Sequence, residues 1–174
     1  MSLTDLFDPA RLFRIALMVS LALVAIFAEA APLGLSPTAP PSPDLLMCVL
    51  VYWSIRRPGS TPLLAVIALG LIRDFLTDVP IGAGALSLVL VTEVFKAQRH
   101  KLQRSSFVVE WMALAAAAFA ATALVWLLVT LTLAQPPYLI SLFHQCLYTA
   151  MVYPLMVVVF RWLLRITWRK AETV

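Results

Sequence analysis

Ionisable residues are scarce in this chain, so the stretch GLIRDFLTDVPIG at residues 70–82, with Arg73, Asp74 and Asp78, is the first place to look for chemistry. Asp74 and Asp78 stand four apart, one helical turn, on a shared face. Two carboxylates that share a proton can run aspartyl proteolysis, but they must face one another across a site. Neighbours on one turn of a single helix do not, so proteolysis fits poorly. An arginine beside two aspartates is instead the pattern of an ion-paired polar locus, which binds a ligand, fixes a partner, or balances charge at a helix end. Arg73 is the one cation nearby in sequence, and Asp74, Asp78 and Glu29 are its candidate partners. Pro80, Gly82 and Gly84 follow, letting backbones approach closely where the next helix begins.

A second concentration of polar side chains is Ser141, His144, Gln145, Tyr148 and Thr149. At 100° per residue they fall on one helix face. Such a stripe in an apolar helix hydrogen-bonds to neighbouring helices. His144 has the chemistry of a proton relay or ligand, but a lone histidine in a stripe reads first as a packing residue. Cys48 and Cys146 lie in apolar runs without CxxC or His/Cys spacing, so they read as small buried thiols, with no disulfide or metal. No Walker loop, nucleophile elbow, zinc pattern or dinucleotide fingerprint occurs. No catalytic residue, cofactor or metal is expected, and enzymatic activity has no support.

The elements that must position these residues follow from solvent. Of 174 residues, 62% are hydrophobic and 13% charged, with mean hydropathy +0.94. A soluble domain carries roughly twice that charged fraction. The runs Trp111–Ala134 and Tyr138–Phe160 are each long enough to cross ~30 Å of hydrocarbon. The expectation is an all-α, polytopic membrane protein forming a single integral membrane domain over 1–174, with spans at about 15–30, 44–55, 62–78, 80–95, 107–134 and 138–160. The central three are short. Ser42-Pro43-Asp44, Thr61-Pro62, Pro80 and Pro137 mark helix starts by cap residues and first-turn prolines. The run Leu45–Ile55 reaches only about 17 Å, roughly half the hydrocarbon thickness. Such a helix must sit among longer neighbours, thin the bilayer, or run on into protected polar residues.

Charge tests the six-span arrangement. Net charge is +4. The basic residues flank apolar spans, which is topology information and gives no reason to invoke nucleic acid. Twelve of the 13 Lys and Arg residues fall on alternate connections, including Arg56-Arg57, the loop KAQRHKLQR and the closing Arg161, Arg165, Arg169 and Lys170; Arg73 alone falls on the other side. That pattern places both termini in the cytoplasm. Ala28-Glu29-Ala30 resembles a leader-cleavage site, but acidic Asp5 and Asp8 argue for an intact first span. In the fifth span Ala113, Ala117 and Ala121, with Ala116 and Ala120, give a small-residue face for close packing. Trp111 and Trp126 read as packing or interface residues, and Pro154 as a kink in the sixth.

The blocks PDLLMCVLVYWSIRRP and GLIRDFLTDVPIGAGAL resemble the two most recognisable stretches of the MreD family of bacterial rod shape-determining membrane proteins. The shared features are a Pro-Asp start, Tyr-Trp ahead of an Arg-Arg-Pro turn, then Gly-x-x-x-Asp before Pro-x-Gly and an apolar helix. The likeness covers roughly residues 12–165 and is carried by Asp44, Tyr52, Trp53, Arg56, Arg57, Pro58, Gly70, Asp74, Pro80 and Gly82. Members often have a small residue where Asp78 stands, so Asp74 is the better match. The resemblance implies a non-enzymatic scaffold of the cell-wall elongation machinery in the bacterial inner membrane. It would bind the single-span protein MreC and, through it, connect to MreB and the peptidoglycan synthases, helping maintain rod shape.

The family also resembles, in helix arrangement, the substrate-binding S-component of energy-coupling-factor vitamin transporters, so a transporter subunit is the alternative function. A transporter subunit should hold a deep, enclosed cavity with aromatic and polar walls, built from Arg73, Asp74 and the sixth-span stripe. A scaffold should offer shallow pockets and an apolar lateral groove. The short outer segment AQPPYLIS favours the scaffold. Anionic lipid is the expected partner of the basic loops, and a homo-oligomer is a further option.

Overall fold

A computed structural model describes residues 9–30, 42–77, 80–131 and 139–171, the last of these beyond Trp162 as backbone alone. Asp78, the proline-rich segment before Ser42 and the 132–138 connection lie outside the described residues. Among the described residues six helices follow in order: α1 Pro9–Ala30, α2 Leu45–Arg56, α3 Leu63–Leu76, α4 Ala83–Arg104, α5 Phe107–Leu131 and α6 Leu139–Ala171, with a 3-10 turn at Pro58–Ser60 after α2. No strand occurs among the described residues.

The sequence LLMCVLVYWSIR has no polar face, and a helix apolar all round must be buried. α2 is accordingly the centre of the bundle. Every residue from Leu46 to Ile55 is buried, and α2 touches α1, α4, α5 and α6. Twelve residues span only about 18 Å, yet protein on every side replaces lipid around its ends. Of the ways a short helix can be accommodated, this one sits among longer neighbours. Three outer helices are long and apolar enough to cross a membrane: Arg11–Ala30, Phe107–Leu131 and Ile140–Trp162. Their exposed side chains are large and apolar, among them Phe27, Phe119, Leu127 and Leu155, as a lipid-facing surface requires.

The stretch KAQRHKLQR is helical, where the sequence reading places a loop. α4 continues unbroken to Arg104. Lys, Ala, Gln, Arg and Leu are strong helix formers, and two contacts hold the extension in place. Leu102 is buried, and the Gln103 side-chain amide donates to the Ile55 carbonyl, one of the last carbonyls of α2 that the helix itself cannot satisfy.

Pro154 lies inside α6. It has no N–H to give Ala150, four residues earlier, so that carbonyl loses its helical donor. The indole Nε1 of Trp111 donates to it at 2.7 Å, joining α5 to α6 at the break. Trp111→Phe keeps the ring and removes the donor. It should lower stability by about 1–3 kcal/mol, measured as a drop in the detergent unfolding midpoint. Trp126→Phe, whose indole has no such role, is the comparison.

Candidate functional site

Two loci of charged residues sit at opposite ends of the bundle. The first begins with how α3 meets α4. A Cβ at Gly70 would lie 2.6 Å from the Ala85 Cα, so the backbones touch only because Gly70 has no side chain. Gly82 takes φ +97°, a left-handed conformation that glycine adopts without strain, and turns the chain into α4. That turn presents the first amides of α4 to Asp74, whose Oδ2 accepts from Gly82 N at 2.8 Å and Ala85 N at 3.1 Å. Asp74 thus caps α4 from the neighbouring helix, meeting donors that a helix N-terminus leaves unsatisfied. A Cβ at Gly84 would overlap Asp74 Oδ1. Gly70, Asp74, Gly82 and the Pro80 that leads into the turn form one structural device.

Arg73, one residue before Asp74, points elsewhere. Its Nε lies 3.2 Å from Glu29 Oε2 on α1, and its Nη1 lies 3.0 Å from Asp44 Oδ2 ahead of α2. The other oxygens of both acids serve α2: Asp44 Oδ1 accepts from Met47 N and Glu29 Oε1 accepts from Leu46 N, both at 2.8 Å. One guanidinium therefore joins α3 to α1 and to the start of α2. The side chains of Arg73, Glu29 and Asp44 are 14%, 6% and 16% exposed, so these charges are paired out of bulk solvent.

Of the partners expected for Arg73, Glu29 is found, Asp74 is turned to α4, and Asp78 lies outside the described residues. Asp44 is a partner that sequence reasoning assigned only to capping. Sequence distance is no bar, since Glu29 lies 44 positions from Arg73 and Asp44 only 29; the capping signal at Asp44 accounts for its Oδ1 alone and says nothing of the oxygen that reaches Arg73.

The polar stripe of α6 divides. Thr149 Oγ1 accepts from Asp44 N at 2.9 Å and donates to Gln145 O at 2.8 Å, while Ser141 and Gln145 line a cavity with Glu29, Asp44, Arg73 and Asp74. The cavity measures about 290 Å³. His144 and Tyr148 line no part of it; their rings stack, with centroids 6.2 Å apart. Spacing explains the division: 141, 145 and 149 form one i, i+4 row and 144 and 148 the adjacent row.

Tyr52, Trp53, Arg56 and Arg57 belong to the second locus, at the basic end. Arg56 Nη2 lies 3.2 Å from Glu110 Oε2 on α5, and its guanidinium sits 5.2 Å from the centre of the Tyr52 ring. Tyr153 on α6 donates its hydroxyl to Glu110 Oε1. Glu110 is buried and ties α2, α5 and α6 together. Sequence reasoning missed it, although an acid in the first turn of an otherwise apolar helix is a signal that could have found it. Tyr52 packs on Phe160, with ring centroids 5.1 Å apart, and Trp53 is buried in the core. Arg57 follows α2 in the turn; partial burial lowers its pKa from the ordinary value, and the like charge of Arg14 acts in the same direction.

Cys48 and Cys146 are buried free thiols; Cys146 Sγ donates to Thr122 Oγ1 at 3.4 Å.

A groove of different character runs along the outside between α4 and α5. Two adjoining hollows of about 290 and 210 Å³ share Val94, Phe95, Ala117 and Ala120 as walls. From Ser87 to Leu102 the groove follows α4 for about 23 Å. Its α5 side is the small-residue face, and no charged residue lines it among the described residues.

The fold and these loci define a helical membrane protein whose buried charges join helices and cap their ends. Residues 10–167 match the family described as rod shape-determining protein MreD, and the chain belongs to that family. This places it in bacterial rod-shape determination, in a family of shape-determining structural proteins not known as enzymes. No curated protein and no solved structure matches the chain.

Proposed function

We propose that this chain is a non-enzymatic membrane scaffold of the cell-wall elongation machinery. It lies in the bacterial inner membrane with both termini in the cytoplasm, and it receives the single membrane helix of MreC in the α4/α5 groove. MreB and the peptidoglycan synthases are reached through that partner. The groove is the observation that carries this reading. It runs for about 23 Å, roughly three quarters of a ~30 Å hydrocarbon core, with its Gln98 and Leu102 end reaching the cytoplasmic 96–104 segment; its alanine wall allows close backbone approach, and an uncharged lining suits an apolar helix better than a soluble segment. The orientation rests on the basic residues at the ends of α2, α4 and α6, which meet anionic lipid on the cytoplasmic leaflet.

The polar cavity favours a second reading, a substrate-binding subunit of a vitamin-type transporter. Against it, no aromatic side chain lines the cavity among the described residues, and its one guanidinium is already held by two carboxylates.

Co-purification decides. In mild detergent the wild-type chain should retain a single-span partner. Ala117→Leu with Ala120→Leu fills the groove and should cut recovery of the partner at least tenfold while the unfolding midpoint moves little. Unchanged recovery would remove the groove from the interface, and a small molecule as the sole companion would favour the transporter. Reporter fusions at 96–104 test the orientation separately and should report a cytoplasmic position.

A further inference from the structure

We propose that the α3/α4 flank of the bundle thins the bilayer beside it and so selects phospholipids with short acyl chains. This thinning presupposes the membrane placement of the bundle and is independent of what occupies the groove.

Helix lengths set the mismatch. The exposed apolar side chains of α5 run from Val108 to Leu131 and those of α6 from Ile140 to Trp162, about 35 and 33 Å. Both fit a ~30 Å hydrocarbon core with a modest tilt. α3 has 14 residues, about 21 Å. α4 has 22 residues, but its large exposed apolar side chains end at Val94, about 17 Å from its start. Among the described residues, neither counts with the helices long and apolar enough to cross a membrane. Nor are they enclosed as α2 is: Leu64 and Phe75 of α3 are 81% and 75% exposed.

The α4/α5 hairpin marks where hydrocarbon ends on each side. Only Ser105 and Ser106 separate the two helices, so residues equally far from that turn stand at about one height. Phe95 and Ala117 wall the same hollow accordingly. On α5 the side chains exposed near the turn are apolar, Val108 and Met112 among them. At matching heights α4 exposes Gln98, Lys101 and Gln103. Lys96 could snorkel towards the interface, but its Nζ is held 2.7 Å from Glu93 Oε1, farther from the turn, and the Glu93 side chain is half exposed. Charges facing lipid are costly. Hydrocarbon therefore ends near Glu93 beside α4 and near Val108 beside α5, an offset of up to about 15 Å along the hairpin. Tilt does not remove it, because packed antiparallel neighbours tilt together. Along the exposed row of α4 the change from Leu86, Leu90 and Val94 to Gln98 and Lys101 follows the helix axis, which is the division a bilayer boundary supplies.

Spin labels test this on the full chain in vesicles of eighteen-carbon phosphatidylcholine. The native thiols are buried, so Ala97→Cys on α4 and Met112→Cys on α5, at similar heights, are labelled singly. Collision with oxygen reports hydrocarbon, and collision with a water-soluble nickel chelate reports water. The label at 112 should favour oxygen and the label at 97 nickel, with ratios at least fivefold apart. Adding Glu93→Leu, Lys96→Leu and Gln98→Leu lengthens the apolar belt and should carry the label at 97 into hydrocarbon. The unlabelled wild type should unfold at a higher temperature in fourteen-carbon than in twenty-two-carbon lipid, and the triple variant should reverse that order. If the variant folds poorly, the two labels and the wild-type lipid series still decide. Labels at 97 and 112 in one environment, whether both hydrocarbon or both water, would overturn the thinning. Access of neither reagent at 97 would overturn it too, since a second copy or another protein would then cover the flank. A wild-type midpoint indifferent to chain length would overturn the lipid selection.

Discussion

Arg73→Ala should cost this protein about 3–5 kcal/mol, the scale on which removing one partner of a buried ion pair destabilises. The substitution deletes the link from α3 to α1 and to the start of α2, and leaves Glu29 and Asp44 facing each other without their shared cation. Two like charges are then held away from bulk water. Native proteins hold only about 5–15 kcal/mol in total, so the unfolding midpoint in detergent should fall by ~10 °C or more.

Controls separate charge from packing. Arg73→Lys keeps the charge but not the fork that reaches two carboxylates, and it should fall between wild type and Arg73→Ala. The triple variant Arg73→Leu, Glu29→Gln, Asp44→Asn removes all three charges and should recover most of the loss, since a neutral set of similar volume often matches a buried ionic one. The effect should change little between low and moderate salt, because these groups are shielded from the solution. An unchanged midpoint for Arg73→Ala, or a triple variant as unstable as the single, would show that the bridge does not hold α3 in place.

How far the sequence foretold this locus depends on the range of each interaction. Composition and the alternation of basic clusters implied an all-helical membrane bundle, because those signals are local or summed over the chain. The α4 start was readable for the same reason, from Pro80 and Gly82 beside it in sequence, but Asp74 read as a partner of Arg73 and its cap on the α4 amides was not foreseen. Asp44 as a partner of Arg73, Glu110 as the meeting point of Arg56 and Tyr153, and Trp111 as donor to the carbonyl freed by Pro154 all join distant helices. Their register is set by packing around α2, and no single-sequence periodicity records it. The extension of α4 through Arg104 was hidden differently. Its charges looked like a loop between spans, while helix propensity and the buried Leu102 pointed the other way.

The close approach of α3 and α4 leads to the second large effect. Gly70→Ala places a methyl group where the Ala85 Cα already stands, at 2.6 Å, so the two backbones must separate. Overpacking of this kind costs about 1–3 kcal/mol. Here the separation also draws Asp74 from the Gly82 and Ala85 amides, and each charge-assisted bond weakened adds about 1.5–3 kcal/mol. The expected total exceeds 3 kcal/mol, read as a lower detergent unfolding midpoint.

Gly59→Ala is the matched control: nothing lies within 4 Å of the added Cβ, and the midpoint should hardly move. Adding Ala85→Gly to Gly70→Ala should not rescue, because the obstructing atom is the Cα that glycine retains. Asp74→Asn keeps one acceptor for the α4 amides and should be the mildest change. α4 forms one wall of the lateral groove, so Gly70→Ala should also weaken partner recovery, whereas Asp74→Asn should spare most of it. Should Gly70→Ala prove as stable as Gly59→Ala, the glycine would not be what sets the distance between the helices, and the cap on α4 would have to be maintained some other way.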